Sequence, residues 1–293
     1  MNRPLLVVLR LLHAMLSARL LGALGAALGR LAYRLAGERR RIGATNLRLC
    51  FPELSEAERD RLLRAHFRAL GRATFLETVS WWGNRREVEG LTRLEGTEHY
   101  LAHAGKPVIW LAPHFVGLNI GGVRVTAEYA PIVSLYARIK NPHVDRLMLE
   151  ARTRFSHADK HSEMFSRHDG IKPVIRAIRK GLPFYYLPDM DFGRKDAIFS
   201  PFFGVPAATV TGLSRIARAT GAAVVPCVTC WDGDGYVARF YPAWENFPSD
   251  DVAADTRRMN AFIEERIREM PEQYFWLHKR FKTRPEGEAS LYE

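Results

Sequence analysis

From residue 105 onward the chain alternates short apolar runs with longer segments of helical character. No other feature of the sequence restricts the fold as much. "GKPVIWLAPH", "APIVSLYAR", "GLPFYYLPD" and "GAAVVPCVTCW" are a few apolar residues each, mostly introduced by Gly or Ala with Pro, and they read as strands. Residues 117–129, 142–155, 171–180 and 208–220 between them read as helices. Strands and helices alternating at these lengths build βαβ units, so the expected class is α/β, a largely parallel sheet flanked by helices. "AAVVPCVTCW" and "YVARFYPAW" bracket "DGDG", a hairpin signal that adds an antiparallel pair at one edge. "DTRRMNAFIEERIREMPEQYFW" reads as a terminal helix.

Upstream, Ser55 followed by Glu58 forms a capping box that opens a helix running toward Trp82. Its Leu62, Leu63, Phe67, Leu70 and Phe75 recur at helical spacing and are expected in the core. No linker or repeat divides the chain, so residues 37–285 are read as a single α/β domain, with 286–293 a flexible polar tail. Residues 1–36 stand apart. They are strongly apolar but interrupted by Arg10, His13, Arg19 and Arg30, and the longest stretch free of basic residues, Leu20 to Gly29, is ten residues. A spanning helix wants about 20 apolar residues. A signal peptide fits badly, because no small-residue cleavage site gives way to a polar start. With Arg3, Arg10, His13 and Ser17 on one side of a helical wheel and leucines on the other, the segment reads as an N-terminal membrane-associating helix lying in the interface. A first core helix is the alternative, and "GAALG" (25–29) has the small-xxx-small spacing of close helix packing.

The 293 residues carry 43 Lys and Arg against 32 Asp and Glu, a formal charge of +11. That excess favours acidic partners: anionic lipid, phosphate groups, an acidic carrier protein or nucleic acid. Nucleic acid is set aside, since no recognition module is present and the basic residues are not interleaved with aromatics in a recognised pattern. Cys50, Cys227 and Cys230 make no disulfide framework, and "CVTC" lacks a second ligand pair at zinc spacing, so these read as buried thiols and no metal is expected. Phosphate-binding glycine motifs and the G-x-S-x-G elbow are also missing. "DFG" at 191–193 is not a kinase signature without the other kinase segments.

Three clusters could carry chemistry. In "LAPHFVGLNIGG" (111–122), His114 leaves a strand at its carboxyl end, where ligands of open α/β sheets bind. A neutral imidazole there suits deprotonation of a hydroxyl. Asn119, five residues on, can meet it only if the chain turns between them. Next, Asp189 and Asp191 follow the strand "PFYYLP", and "SPFFGVP" offers Phe202 and Phe203, one for the core and one for an apolar groove suited to acyl chains. Third, Arg138, Lys140, Arg146, Arg152 and Arg154 cluster behind another strand, where they could grip phosphates or stabilise an oxyanion.

Taken together, "RRIGATNLRLCFPELS", "APHFVGLN", "YARIKNPHVDRLM", "LPDMDFGRKDAIFSPFFGVPAAT" and "PEQYFWLHKRFKTRP" resemble the bacterial lipid A biosynthesis (late, or secondary) acyltransferases of the lysophospholipid acyltransferase superfamily. The resemblance spans nearly the whole chain. It implies transfer of a fatty acyl group from an acyl carrier protein thioester to a hydroxyl of an anionic glycolipid, the lipid A precursor. It places the reaction at the cytoplasmic face of the inner membrane, with no cofactor. The family motif is H-x-x-x-x-D or H-x-x-x-x-E, which puts His114 at the general base and Asn119 where a carboxylate belongs. Three accounts of that departure stand: a silent lipid-binding homologue, another carboxylate serving His114 (Asp189 or Asp191, with Glu128 a poor fit), or chemistry that needs little help. An enzyme with impaired or reorganised catalysis is the expectation; a different lipid acceptor is an alternative. Arg138 is expected at the oxyanion, and Asn141, Arg152, Asp189, Asp191, Phe202 and Phe203 at the substrate.

Overall fold

Ser17 breaks the apolar N-terminal segment in two. In the computed structural model, which describes residues 3–129, 131–155, 161–166 and 168–292, α1 (Arg3–Met15) ends before it. The hydroxyl of Ser17 accepts from Leu20 N and caps α2 (Ala18–Leu35). The segment therefore forms two helices rather than one. Helices α3 (Gly37–Cys50) and α4 (Glu56–Trp82) follow, the latter opened by the Ser55–Glu58 capping box with both reciprocal bonds in place.

Gly25 and Gly29 of α2 lie directly on Gly71 and Phe67 of α4, so a Cβ at Gly29 would collide with the main-chain carbonyl of Phe67. "GAALG" is a genuine close-packing surface. Leu21, Ala26 and Tyr33 are buried there, while Leu20, Leu28, Leu31 and Leu35 are exposed, so α2 is both a core helix and the bearer of an apolar outer face. Helix α1 extends that face with Leu5, Val8, Leu11 and Met15. Its polar side is oriented differently from the wheel: His13 turns inward, with its ring 6.2 Å from Trp82 and Nε2 3.9 Å from Glu87. A wheel gives periodicity but not which side finds a partner. Among the described residues no helix is long and apolar enough to cross a membrane.

After α5 (Arg85–Leu91) the chain enters a seven-stranded sheet. In chain order its strands and helices are β1 (Thr92–Glu95), α6 (Thr97–Leu101), β2 (Val108–Leu111), α7 (Leu118–Glu128), β3 (Val133–Tyr136), α8 (Pro142–Thr153), β4 (Glu163–Ser166), α9 (Lys172–Arg179) and β5 (Phe184–Tyr186). A separate two-stranded ribbon, β6 (Ala197–Phe202) and β7 (Val205–Val210), precedes α10 (Gly212–Thr220), β8 (Ala223–Asp232), β9 (Gly235–Phe240) and α11 (Val252–Glu269). The sheet order is β1-β9-β8-β2-β5-β3-β4. Every pairing in it is parallel except β8–β9, where Gly233-Asp234 turns the "DGDG" hairpin. That hairpin lies one strand in from the edge, because β1 caps it in parallel. At the centre, Val108, Ile109, Trp110 and Leu111 of β2 are completely buried, as a strand covered on both faces must be.

Segment ends depart from the sequence reading as well. Residues 208–210 belong to β7, not to the helix that follows. The terminal helix stops at Glu269, and Pro271 opens a short 3₁₀ turn instead. Residues 271–276 then run past the end of β2 as a strap. Residues 286–292 of the expected tail also return to the domain, where the hydroxyl of Tyr292 donates to Asn46 Oδ1 and accepts from Phe281 N; Glu293 lies outside the described residues.

Candidate active site

Strands β2 and β5 are parallel neighbours with Leu111 paired to Tyr186. Three residues beyond each lies a polar side chain: His114 after Ala112-Pro113, and Asp189 after Leu187-Pro188. Equal overhang from a matched register brings the two together. His114 Nδ1 lies 2.7 Å from Asp189 Oδ1, and His114 N donates to Asp189 Oδ2 at 2.9 Å. The Asp189 side chain is fully buried and that of His114 is 19% exposed, so the carboxylate sits behind the ring. Burial pushes the Asp189 carboxyl up, but the His114 charge and the bonds from its ring and main chain outweigh that and hold it below its usual range. An ionised acceptor at Nδ1 fixes the proton there, which leaves Nε2 bare to take a proton.

The strap locks this geometry from the other side. Phe275 N donates to His114 O, Val116 N donates to Gln273 O, and Phe115 bridges Tyr274. Asn46 Nδ2 on α3 holds the strap through Trp276 O and His278 O.

His114 lines a cleft of about 760 Å³ beyond the carboxyl ends of the strands. Its walls come mainly from α7, α8, β3 and β5, with Leu118, Leu135, Met148, Leu149, Met164 and Leu187 making much of it apolar. Asn119 and Arg152 line it as well. Asn119 makes no pair with His114. In the first turn of α7, it accepts from Arg152 Nη2 at 2.7 Å through Oδ1. The spacing motif suggested a base and its orienting partner; the fold supplies that partner from β5.

The remaining sequence candidates divide. Arg152 is in the cleft. Arg138 is exposed and outside the cleft lining, because the chain after β3 turns its side chain to solvent. Asn141 is the N-cap of α8, its Oδ1 accepting from His143 N and Val144 N, and it is likewise not a lining residue. Asp191 is a buried clamp. Its carboxylate accepts from Gly193 N, Thr283 N and Thr283 Oγ1, and its own N–H donates to His278 Nε2. Burial first, then the nearby charges of Arg280 and His114, pull His278 down to about 4, so it stays neutral and accepts that bond. Phe202 is wholly buried against Phe281 and Tyr274, while Phe203 lies on Phe51. Neither lines the cleft, because they form the end of the β6–β7 hairpin, where Phe203 and Gly204 both take positive φ in a two-residue turn. Sequence reasoning missed Glu77. The available signal was a carboxylate seven residues beyond Leu70, on the apolar stripe of its helix. The three cysteines are free and buried.

The family model for bacterial lipid A biosynthesis acyltransferases matches residues 5–283. A lipid A biosynthesis lauroyltransferase of Escherichia coli K12 is 36% identical over 274 residues, covering 92% of this chain and 87% of its own. A palmitoleoyltransferase of the same organism is 36% identical over 278 residues, with the same coverage. A lipid A biosynthesis acyltransferase of Haemophilus influenzae is 31% identical over 98% of this chain and 88% of its own.

Proposed function

The chain belongs to the bacterial lipid A biosynthesis acyltransferase family, and from that premise we propose that it moves a fatty acyl group from an acyl carrier protein thioester to a hydroxyl of a lipid A precursor, with His114 and Asp189 as its catalytic pair. The observation that carries this reading is an oriented histidine in the lining of a largely apolar cleft, backed by a buried carboxylate 2.7 Å away. His114 Nε2 removes the proton of the acceptor hydroxyl, and Asp189 stabilises the imidazolium that forms. The alkoxide attacks the thioester carbonyl, and the Arg152 guanidinium, in place of Arg138, offsets the charge on the tetrahedral oxygen. Collapse expels the carrier thiolate, which takes the proton from His114. The acyl chain lies along the apolar wall. Neither a metal nor a nucleotide has a role in these steps.

The exposed leucines of α1 and α2 support a position of these helices in a membrane interface, and the cytoplasmic face of the inner membrane is the side on which an acyl carrier protein donor is met. The +11 charge suits both an anionic glycolipid and an acidic carrier. Purified protein incubated with dodecanoyl-acyl carrier protein and a lipid A precursor bearing a free 3-hydroxyacyl chain is expected to add one acyl mass to the lipid. His114→Ala is expected to abolish that gain. An unchanged acceptor with donors of 12, 14 and 16 carbons would overturn the proposal.

A further inference from the structure

The strap that meets His114 is itself held from outside the site, and the bonds that hold it fix their own directions. Asn46 of α3 is 1% exposed, and its amide has three partners. Trp276 O at 2.6 Å and His278 O at 2.7 Å can only accept, so both are met by Nδ2. On the other side, Phe281 N can only donate. The Tyr292 hydroxyl accepts from it at 3.0 Å, and the phenol proton goes to Asn46 Oδ1. Both N–H groups and the oxygen of the Asn46 amide are therefore engaged, as a buried polar side chain requires. Two further side chains hold the start of the strap. His66 Nδ1 on α4 donates to Glu272 O at 3.0 Å, and Gln273 exchanges bonds with Trp231 of β8, accepting from its N at 2.6 Å and donating to its O at 3.0 Å. Phe275, which donates to His114 O, directly precedes Trp276, which accepts from Asn46. Adjacent residues thus make the bond from α3 and the bond to the histidine.

We propose that Asn46 is a positioning residue for acyl transfer: through the strap, and with Tyr292 orienting its amide, it sets where His114 stands against Asp189. This rests on the reading of His114 as the base. Residues 112–117 join β2 to α7 and belong to neither. Their main-chain bonds go to Tyr186 and Asp189 on one side and to Gln273 and Phe275 on the other. The ring therefore depends on the strap as well as on the carboxylate behind it. An amide is the group this position needs: a carboxylate at 46 would set an oxygen against two carbonyl oxygens, and an alanine would leave both without this donor. Tyr292 makes the C-terminal residues part of the support of the site, eleven residues beyond the Phe281 N–H that it also accepts from.

The test compares the full-length protein with Asn46→Ala and Tyr292→Phe, well below their melting temperatures, by steady-state acyl transfer and by ¹⁵N-histidine NMR of His114. Asn46→Ala is expected to lose about 10- to 100-fold in kcat with KM within about threefold of the parent, the scale for a displaced catalytic group. Tyr292→Phe keeps the ring but not the hydroxyl, and is expected to lose about three- to tenfold, the scale of one hydrogen bond. The His114 Nδ1–H signal is expected to be sharp in the parent, broadened in Asn46→Ala and less so in Tyr292→Phe. A merely structural role would lower the melting temperature but leave kcat per folded molecule and the His114 signal unchanged, and that result would overturn the inference, as would a loss confined to KM. If Asn46→Ala fails to fold, Tyr292→Phe carries the test alone, and parent-like kcat and His114 signals in it would overturn the inference. An inert parent whose His114 signal still broadens in the variants would refute the reaction assigned to His114 but support the positioning.

Discussion

Replacing Asp189 by Asn changes one charged atom pair and almost no volume, and its consequence can be worked from the geometry. In the parent, the carboxylate accepts two bonds from one residue: His114 Nδ1 at 2.7 Å and His114 N at 2.9 Å. The main-chain N–H can only donate, so the Asn carbonyl oxygen takes that bond and its NH₂ is turned toward Nδ1. Nδ1 must then accept, the ring proton moves to Nε2, and the atom that faces the cleft can no longer act as a base. A charge-assisted hydrogen bond of about 1.5–3 kcal/mol is lost, and with it the support for the imidazolium. Losing the reactive tautomer adds to this, and the same substitution in a serine-protease triad costs about 10⁴ in turnover. The expected fall in kcat is about 10² to 10⁴, or about 3–5 kcal/mol of transition-state stabilisation. KM should change little, because the Asp189 side chain is fully buried and outside the cleft lining. The assay is steady-state acyl transfer at saturating donor and acceptor, with circular dichroism confirming the fold. A kcat within threefold of the parent would refute the reasoning.

Three further outcomes follow from the same contacts. Asn119→Asp should give no large gain in turnover, since the new carboxylate meets Arg152 rather than His114; a tenfold gain in the transfer assay would contradict this. Glu77→Gln should be increasingly stabilised relative to the parent as pH rises. The folded state keeps the Glu77 proton up to about 8 while the unfolded chain releases it near 4.5, so the parent loses roughly 3 kcal/mol between pH 5 and pH 8 that the variant keeps. Urea titrations at the two pH values measure it, and an equal stability gap at both would count against a buried acid. Gly29→Ala should destabilise by about 1–3 kcal/mol, because the added Cβ meets the Phe67 carbonyl on α4, and a thermal melt within a degree of the parent would rule out that close crossing.

The parts of the molecule that were legible in the sequence were those fixed by local rules. The capping box at Ser55 and Glu58, and the apolar runs marked off by Gly and Pro, became α4, β2, β3, β5 and β8 with small shifts at their ends. β1 and β4 were harder, since "TRLE" and "EMFS" carry little apolar signal and are strands because neighbours pair with them. "SPFFGVP" looked like a groove on hydrophobicity alone, yet Gly204 with Phe203 in a positive-φ turn makes it a hairpin end. In the site, His114 was visible from its place after a strand. Asp189 was one of two carboxylates offered as its partner, but choosing it over Asp191 depended on which strand lies beside β2 and in what register, and that is a property of the whole sheet. The five-residue spacing to Asn119 pointed to a pair that the helix geometry of α7 directs elsewhere. Glu77 was hidden because α4 carries acidic residues at several positions and only packing distinguishes the buried one.

The central claim is that Asp189, from the neighbouring strand, sets the His114 base. The tautomer of the His114 ring reports this directly. In ¹⁵N-histidine NMR of the full-length protein at a pH where the ring is neutral, His114 is expected to carry its proton on Nδ1, with Nε2 unprotonated. Asn119→Asp should leave that signature in place and Asp189→Asn should reverse it. A parent protein protonated at Nε2, or a tautomer that responds to residue 119 and not to residue 189, would contradict the account.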